Sequence, residues 1–240
     1  MTGPAIAIIP ARGGSVGIPR KNLQLVGGAS LVARAVRSAR DALSIQRVVV
    51  TTDDPAIADE ARRAGAFVID RPAELATSTS TSESALLHAL SVLDVVAPVV
   101  VFVQATSPFI DPADLDAAVQ RVRDGEADVV FSAVATPVFL WGPGAVSWVG
   151  LNHDAGVRPR RQDLPPQAAE TGAFYAMRTD GFLAARHRFF GRIEPQLVDE
   201  SFAIDIDTPV ELEIARALSA LHHDPRDRAT LPPTSEDIPT

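Results

Sequence analysis

A glycine-rich, cationic segment, residues 10–22 (PARGGSVGIPRKN), directly follows the apolar run of residues 5–9. Glycines allow backbone N–H groups to approach an anion, and Arg12, Arg20 and Lys21 add fixed positive charge. Lys21 is the only lysine among 22 basic residues, which favours a role in a site, although one lysine could fall here by chance. This combination predicts a cradle for a triphosphate or another polyphosphate.

Three known motifs compete for this segment. A Walker P-loop needs a Gly-Lys pair and a dinucleotide-binding loop needs G-x-G-x-x-G, and the sequence has neither. The pattern G-x-S-x-G is present at residues 13–17 and is typical of a nucleophile elbow. An elbow requires a helix directly after the serine, whereas Pro19 delays any helix. A hydrolase using Ser15, Asp205 and His222 is therefore the weaker interpretation.

Two carboxylates near the C-terminus are spaced to share one cation. Asp205 and Asp207 alternate with Ile204 and Ile206, and in a strand this alternation places both carboxylates on one face and the isoleucines in the core. Carboxylates are preferred ligands of hard cations such as Mg²⁺. The alternative is that Asp207 only caps a helix beginning near Pro209.

The composition fits one acidic domain without cysteine. The chain has 240 residues, 46% of them hydrophobic, which is enough for a large core without disulfides or a structural metal. The absence of cysteine excludes a thiolate zinc site and thiol catalysis. Because 30 acidic and 22 basic residues give a net charge of −8, no nucleic-acid partner is expected.

The sequence also shows no targeting or membrane signal. No apolar run reaches the roughly 18 residues of a membrane span, and residues 1–14 lack the basic start of a signal peptide. We therefore expect no membrane partner and a cytoplasmic location.

The elements that must position these residues alternate between apolar strands and amphipathic helices. This rhythm predicts an α/β fold with a Rossmann-like, doubly wound, mostly parallel sheet, whose ligands lie at the carboxyl ends of the strands. Asp53, at one such end, is a rival metal ligand or the cap of the next helix. The predicted strands are 5–9, 48–50, 66–69, 99–103, 129–134 and 172–177, and the predicted helices are 30–42, 55–64, 79–94, 111–125 and 207–221.

The alternation breaks over residues 136–170, which contain several prolines and both tryptophans. This segment is too long for an ordinary loop, so we predict an inserted arm or small subdomain. Residues 1–221 are expected to form one domain that includes this arm. Residues 222–240 are polar and rich in proline, and we predict a disordered tail there.

Eight motifs in order resemble one family, the acylneuraminate cytidylyltransferases or CMP-sialic acid synthetases. The resemblance covers residues 5–218 and implies a nucleotidyltransferase-type fold, a Mg²⁺ cofactor and a homodimer formed by the arm. It also implies that the 2-hydroxyl of a 2-keto sugar acid attacks the α-phosphorus of CTP, giving a CMP-sugar and pyrophosphate. The motifs are IIPARGGSVGIPRKN, TTDD, RPAEL, VQATSP, RRQDLP, TGAFY, RFF and DIDTP.

The resemblance implies a role for each matched residue on the nucleotide side, with Arg12, Lys21 and Asp207 as the catalytic residues. The serines and threonines near residue 80 could equally serve a helix N-terminus, which is our interpretation of Ser78 and Ser80. The loop residues that hold the CTP phosphates are Arg12, Gly13, Ser15, Lys21 and Asn22, those near cytosine and ribose are Arg71 and Ser82, and the magnesium ligands are Asp205 and Asp207.

On the sugar side, the resemblance implies that Gln104 contacts the sugar acid. Arg161 is expected to reach the neighbouring subunit's sugar site and bind the carboxylate there, with Arg160 as second choice. An aromatic wall around the acyl group is expected from one tyrosine and two phenylalanines, although the phenylalanines could instead be ordinary core. These residues are Tyr175, Phe189 and Phe190.

The sequence departs from the family pattern at three positions. Val16 stands where the family loop usually has lysine, Thr171 stands for the usual asparagine, and the apolar residues 138–141 replace a usual basic residue. The last two lie on the sugar side. The alternatives are therefore a cytidylyltransferase for another acid, such as an octulosonate or a phosphonate, or a catalytically weakened CTP-binding protein.

Overall fold

A seven-stranded sheet lies at the centre of the computed structural model, which describes residues 3–15, 17–93 and 97–221. Its order is β11-β7-β10-β6-β1-β4-β5, and β10 runs antiparallel to both of its neighbours while the other pairings are parallel. The strands are β1 (Ala5–Pro10), β2 (Leu25–Val26), β3 (Ala29–Ser30), β4 (Ile45–Thr52), β5 (Phe67–Asp70), β6 (Val99–Val103), β7 (Val129–Ala135), β8 (Trp141–Pro143), β9 (Trp148–Gly150), β10 (Ala168–Arg178) and β11 (Ile193–Leu197).

Most of the helices begin at a polar residue whose side chain caps the first turn. Ser30 accepts from the Ala33 amide at 3.2 Å at the start of the first helix, and Asp54 accepts from the Ala56 amide at 2.7 Å at the start of the second. The proposed cap at Asp53 is therefore wrong by one residue. The helices are α1 (Leu31–Asp41), α2 (Pro55–Arg63), α3 (Ser82–Val92), α4 (Pro112–Arg123), α5 (Thr179–Ala185) and α6 (Pro209–Leu221).

Alternating strand residues build a separate core on each face of the sheet. On one face, Ala7 and Val101 pack with buried residues of α1, α2 and α4. On the other face, Ile8 and Phe102 pack with α3 and α5. The sheet is thus covered on both faces, which confirms the predicted doubly wound α/β fold.

The predicted inserted segment contains a small hairpin of β8 and β9 and a 3₁₀ turn at Arg161–Asp163. Apolar side chains are open to solvent here, with Trp141 47% and Trp148 66% exposed. The segment ends earlier than predicted, because β10 begins at Ala168 and pairs with β7 from that residue.

Three features were not predicted. The strand β11 contains Pro195, which a central strand would not tolerate but an edge strand does. The helix α5 is seven residues long and contains Gly181, so its sequence has little helical periodicity. The β2–β3 hairpin has two residues in each strand.

Some predictions fall outside the described residues. These are the disordered tail at residues 222–240, the triad histidine His222 and the unusual loop residue Val16. Among the helices that the structure describes, none is long and apolar enough to cross a membrane.

Candidate active site

The glycine loop after β1 is fastened to the end of β4. The Gly13 amide donates to Asp53 Oδ1 at 3.0 Å, and a Cβ at Gly13 would lie 2.7 Å from Asp54 Oδ2. Asp53 therefore holds the loop at the carboxyl edge of the sheet, where ligands of such folds bind. The alternative role of Asp53 as a cap is excluded, because Asp54 caps α2.

A hydrogen bond from a side chain to the backbone links the two loop residues Asn22 and Arg12. The Asn22 side-chain amide donates to the Arg12 carbonyl oxygen at 3.0 Å, and the Arg12 guanidinium donates to the carbonyl oxygen of Thr77. Within the loop, the Ser15 amide donates to Gly13 O at 3.1 Å. The contact to Thr77 brings the phosphate-side loop next to the segment that precedes α3.

Arg71 lies under this edge rather than on it. The residue is 8% exposed, its guanidinium donates to the Thr51 carbonyl oxygen, and its backbone amide donates to Thr52 O at 2.8 Å. Burial lowers the pKa of Arg71, against the effect of the negative charge of Asp53. Its Nε atom is buried without a hydrogen-bond partner in the described part of the chain.

The serine and threonine cluster before α3 is explained largely by local structure. Thr81 caps α3 by accepting from the Ser84 amide at 3.2 Å, and the Thr77 and Ser80 hydroxyls lie 2.8 Å apart. Ser80 belongs to the turn before that cap, where its hydroxyl also donates to the Glu74 carbonyl oxygen at 3.3 Å. Ser82 is the first residue of α3 and takes no part in that cap.

The predicted metal pair lies opposite the glycine loop. Lys21 Nζ lies 2.8 Å from Asp207 Oδ1, and a Cβ at Gly17 would lie 2.5 Å from the Asp207 carbonyl oxygen. The loop and the Asp205–Asp207 segment are therefore in close contact. Residues 203–207 form no strand, so the prediction that Asp205 and Asp207 lie on a strand is wrong. Ile206 is nevertheless fully buried, as expected.

The capping alternative for Asp207 is also excluded. Thr208 and Glu211 form a reciprocal capping box at the start of α6: the Thr208 amide donates to Glu211 Oε2 at 2.7 Å, and the Glu211 amide donates to Thr208 Oγ1 at 3.3 Å. Asp207 contributes only its backbone amide to Glu211, at 2.8 Å. Its carboxylate remains 71% exposed and available to a ligand.

The two carboxylates suit a magnesium ion that also binds substrate phosphates. Burial raises the pKa of Asp205, a hydrogen bond from Thr106 opposes this, and the charge of Asp207 raises it further. Asp205 Oδ1 is buried without a hydrogen-bond partner among the described residues. In the described part of the chain, no three or more acidic, histidine or cysteine side chains are grouped so that they could hold a metal ion by themselves. Mg²⁺ is typically held by one or two carboxylates plus phosphates and water.

Gln104 lies at the same edge of the sheet, beside the metal pair. Its side-chain Nε2 donates to the Gly172 carbonyl oxygen at 2.5 Å. A Cβ at Gly172 would lie 3.1 Å from Gln104 Nε2 and 3.9 Å from Asp205 Oδ2, and the backbone there has φ +78°. Glycine is therefore required at position 172, where the β10 backbone passes close to Gln104, the predicted contact of the sugar acid, and to Asp205, a predicted metal ligand.

The predicted aromatic wall is more deeply buried than expected. Tyr175 is 1% exposed and stacks on Phe102 with ring centres 5.3 Å apart, so its ring is core and not an open wall. Phe189 and Phe190 are partly buried and pack against the same face of the sheet. This corrects the prediction for Tyr175 and favours the core alternative for the two phenylalanines.

Both arginines of the arm that the resemblance assigned to the sugar side, Arg160 and Arg161, are exposed. Arg160 pairs with Asp163, its Nε 2.7 Å from Asp163 Oδ2. Arg161 is exposed in the same 3₁₀ turn of the arm.

Three residues that were not predicted are linked to Tyr175: Arg188 and Glu170 contact it, and Glu83 pairs with Arg188. Arg188 Nε lies 2.6 Å from Glu83 Oε1, and the Tyr175 hydroxyl donates to Glu170. The sequence could have indicated two of them, because Arg188 begins the RFF motif and Glu170 directly precedes the TGAFY motif.

The mostly parallel sheet covered on both faces, the glycine-rich loop after β1 and the carboxylate pair beside Lys21 define an α/β protein of nucleotidyltransferase type. A family model described as "Cytidylyltransferase" matches residues 6–220. The chain therefore belongs to the cytidylyltransferase family.

Curated relatives and a solved structure agree with this family. The chain is 32% identical over 217 residues to N-acylneuraminate cytidylyltransferase A of Danio rerio, covering 87% of this chain and 49% of the relative. It is 30% identical over 233 residues to CMP-N,N'-diacetyllegionaminic acid synthase of Legionella pneumophila, covering 91% of this chain and 97% of the relative. The chain spans about half the length of the N-acylneuraminate cytidylyltransferases it matches.

The fold is also shared with CMP:2-keto-3-deoxy-manno-octonic acid synthetase, solved in complex with CTP. The TM-score is 0.69 at 20% identity, over 91% of this chain and 99% of the other.

Proposed function

We propose that this protein is a Mg²⁺-dependent cytidylyltransferase that transfers CMP from CTP to the anomeric hydroxyl of a nonulosonate such as sialic acid. The observation that carries the proposal is the contact of Lys21 with Asp207, at 2.8 Å between Nζ and Oδ1. This contact puts the glycine loop and the predicted metal ligands at one edge of the sheet. Polyphosphate and metal would meet there.

The chemistry requires positioning and charge neutralisation more than a nucleophilic side chain. The acceptor's 2-hydroxyl oxygen bonds to the α-phosphorus, the bond from phosphorus to the bridging oxygen breaks, and pyrophosphate leaves with that electron pair. The hydroxyl proton is released to water. Arg12, Lys21 and the loop amides would hold the phosphates. Mg²⁺, when bound by Asp205 and Asp207, supplies positive charge to the phosphate oxygens.

The acceptor class is proposed from the sugar-side residues and from the names of the relatives. Gln104 lies beside the metal pair, as a residue that contacts the sugar acid should. Both curated relatives are named for nonulosonates. The solved octonic acid synthetase makes an octulosonate the second candidate acceptor, on the likeness of the fold alone.

A second copy of this chain is the proposed partner. Residues 136–170 place several large apolar side chains in solvent, among them Trp148 at 66% and Val146 at 99% exposed. Burying such a surface in a two-fold interface stabilises a dimer. Arg161 lies in the same segment, so this interface could bring it to the partner's acceptor site.

A pyrophosphate-release screen tests the proposed function. CTP and Mg²⁺ are combined with a panel of 2-keto sugar acids and phosphonates. Release with a nonulosonate, and much slower release when ATP or GTP replaces CTP, is expected. Release only with an octulosonate or a phosphonate would move the assignment to the second candidate class. CTP binding without release for any acid would show a CTP-binding protein instead.

A further inference from the structure

A connected chain of four polar side chains lies on the α3 face of the sheet. Glu83 is in the first turn of α3, Arg188 follows α5, and Tyr175 and Glu170 belong to β10. The proposed reaction uses none of Glu83, Arg188 and Glu170. We refer to these four residues as the polar chain.

Close contacts join the members of the polar chain. Arg188 Nε lies 2.6 Å from Glu83 Oε1, and these side chains are 20% and 13% exposed. The Arg188 guanidinium carbon lies 4.9 Å from the Phe102 ring centre and 4.8 Å from that of Tyr175. The Tyr175 hydroxyl donates to Glu170 Oε1. The four side chains are therefore in unbroken contact from Glu83 to Glu170.

An irregularity in β10 makes the last of these contacts possible. Glu170 pairs with Ala133 of β7 and Tyr175 pairs with Phe131, and the register shifts between the two pairs. In a regular strand, residues five positions apart point to opposite faces and lie roughly 17 Å apart. Such irregularities re-aim side chains beside functional sites, and this one brings the Glu170 carboxylate to the Tyr175 hydroxyl.

Glu170 lies at the rim of the predicted acceptor side. It precedes Gly172 by two residues, and the Gly172 carbonyl accepts from Gln104 Nε2 at 2.5 Å. Glu170 is exposed, whereas Tyr175 is 1% exposed. A carboxylate has two acceptor oxygens with several lone pairs. Glu170 can therefore accept from Tyr175 and from a bound ligand at the same time.

The burial of Arg188 and Glu83 indicates a role other than stabilising the fold. A buried ion pair seldom stabilises a protein more than apolar residues of the same size do. Phe102, Tyr175 and Phe189 already supply an apolar environment here, with ring centres of Tyr175 and Phe189 5.8 Å apart. A charge beside Tyr175 is explained if it holds the phenol hydroxyl in one orientation, toward Glu170.

We propose that Glu170 determines acceptor specificity by accepting a hydrogen bond from a hydroxyl or amide N–H group of the sugar acid. Tyr175, Arg188 and Glu83 position it. The negative charge of Glu170 also repels the acceptor's own carboxylate, which orients the sugar acid with its carboxylate away from β10. This inference rests on the proposed function, because it requires a sugar acid bound beside Gln104.

Steady-state constants for the acceptor test this inference. Glu170→Ala and Tyr175→Phe are each expected to raise the acceptor KM about tenfold, because each removes one aligned hydrogen bond, with the KM for CTP changed less than about twofold. The double variant is expected to match Glu170→Ala, because Tyr175 acts through Glu170. Glu194→Gln, on the edge strand β11, is the matched control and should keep wild-type constants.

A second comparison changes the ligand instead of the protein. An acceptor lacking the recognised hydroxyl or acylamino group should show an about tenfold higher KM with the wild-type protein and no such difference with Glu170→Ala. Unchanged acceptor KM in Glu170→Ala, or full additivity in the double variant, would overturn the inference alone. Absence of turnover by the wild-type protein with every acid would overturn the proposed function and this inference with it.

Discussion

The ammonium group of Lys21 lies 2.8 Å from Asp207 Oδ1, and this contact joins the loop after β1 to the segment before α6. The Lys21 side chain is 16% exposed and that of Asp207 is 71% exposed. Lysine thus partly neutralises a carboxylate that is open to a ligand. In the proposed reaction, Lys21 would turn to the phosphates when the metal takes its place on Asp207.

Removing the Lys21 charge tests this exchange. Lys21→Met is expected to lower kcat/KM for CTP by roughly a hundredfold or more, because a fixed cation no longer stabilises the charge that develops on pyrophosphate. Lys21→Arg should retain part of the rate. Arg62→Met, on the outer surface of α2 where Arg62 pairs with Asp59 at 3.2 Å, is the control. Unchanged kinetics in Lys21→Met would show that the loop does not hold the phosphates.

Substitution of the predicted metal ligand Asp205 is expected to change activity and thermal stability in opposite directions. Burial raises the pKa of Asp205, so the folded state disfavours its ionised form, and this cost appears as the pH rises above the ordinary carboxyl pKa. Asp205→Asn is therefore expected to raise Tm at neutral pH while lowering kcat by roughly a hundredfold. Thermal unfolding in the absence of metal, together with kinetics at saturating Mg²⁺, measures both effects.

Asp207→Asn is the matched variant for this comparison. It should lower kcat to a similar degree without raising Tm, because its carboxylate is 71% exposed. Near-normal kcat in both variants at low Mg²⁺ would contradict the assignment of these carboxylates to the metal.

The close approach of the loop to Asp207 predicts an effect at Gly17. A Cβ there would lie 2.5 Å from the Asp207 carbonyl oxygen, whereas a Cβ at Gly14 would meet nothing within 4 Å. Gly17→Ala is expected to lower Tm by several degrees, since overpacking against backbone costs about 1–3 kcal/mol. Gly14→Ala should leave Tm within about a degree. Equal Tm values for the two variants would show that the loop does not press against Asp207.

The exposed arm predicts a dimer that shares its sites. Trp148→Arg places a charge in the proposed interface, and sedimentation should show a shift from dimer to monomer. Two inactive variants, Arg161→Ala and Asp207→Asn, should regain part of the activity when they are mixed and their subunits exchange. A wild-type protein that is monomeric and fully active would contradict this interface.

Tyr175 is the only tyrosine in the chain, so its ionisation can be followed by ultraviolet absorbance. Burial and the hydrogen bond to Glu170 raise the pKa of Tyr175 to about 12. A raised pKa means that Tyr175 contributes stability below its ordinary pKa of about 10 and that this contribution is lost as the pH rises toward 12. Glu170→Ala should shift the titration to lower pH. An unshifted titration in that variant would show that the two side chains do not interact.

Much of the fold could be predicted because its signals are local. The apolar runs of β1 and β6 match the predicted strands within a residue, and helix starts were found from Ser30 and from the Asp54-Pro55 pair. The β11 strand was missed, because Pro195 and Glu194 give it the composition of a loop. Its pairing with β7 depends on the rest of the sheet.

Parts of the candidate site could be predicted where a single sequence motif contains the residues concerned. Lys21 of the loop lies 2.8 Å from Asp207, and Gly13 is in contact with the end of β4. The position of Tyr175 was not predictable, because its burial depends on antiparallel β10 entering between β6 and β7 and on the register shift within β10. Long-range pairing of that kind leaves no periodic signal in the sequence.

The most direct test of this account is the identification of products by mass spectrometry. The protein is incubated with CTP, Mg²⁺ and N-acetylneuraminic acid, with Asp207→Asn treated in parallel. We predict equal amounts of pyrophosphate and a CMP-sugar adduct, and on the order of a hundredfold less of both from the variant. Conversion of CTP to free CMP at the same rate with and without the sugar acid, or no conversion at all, would contradict the account.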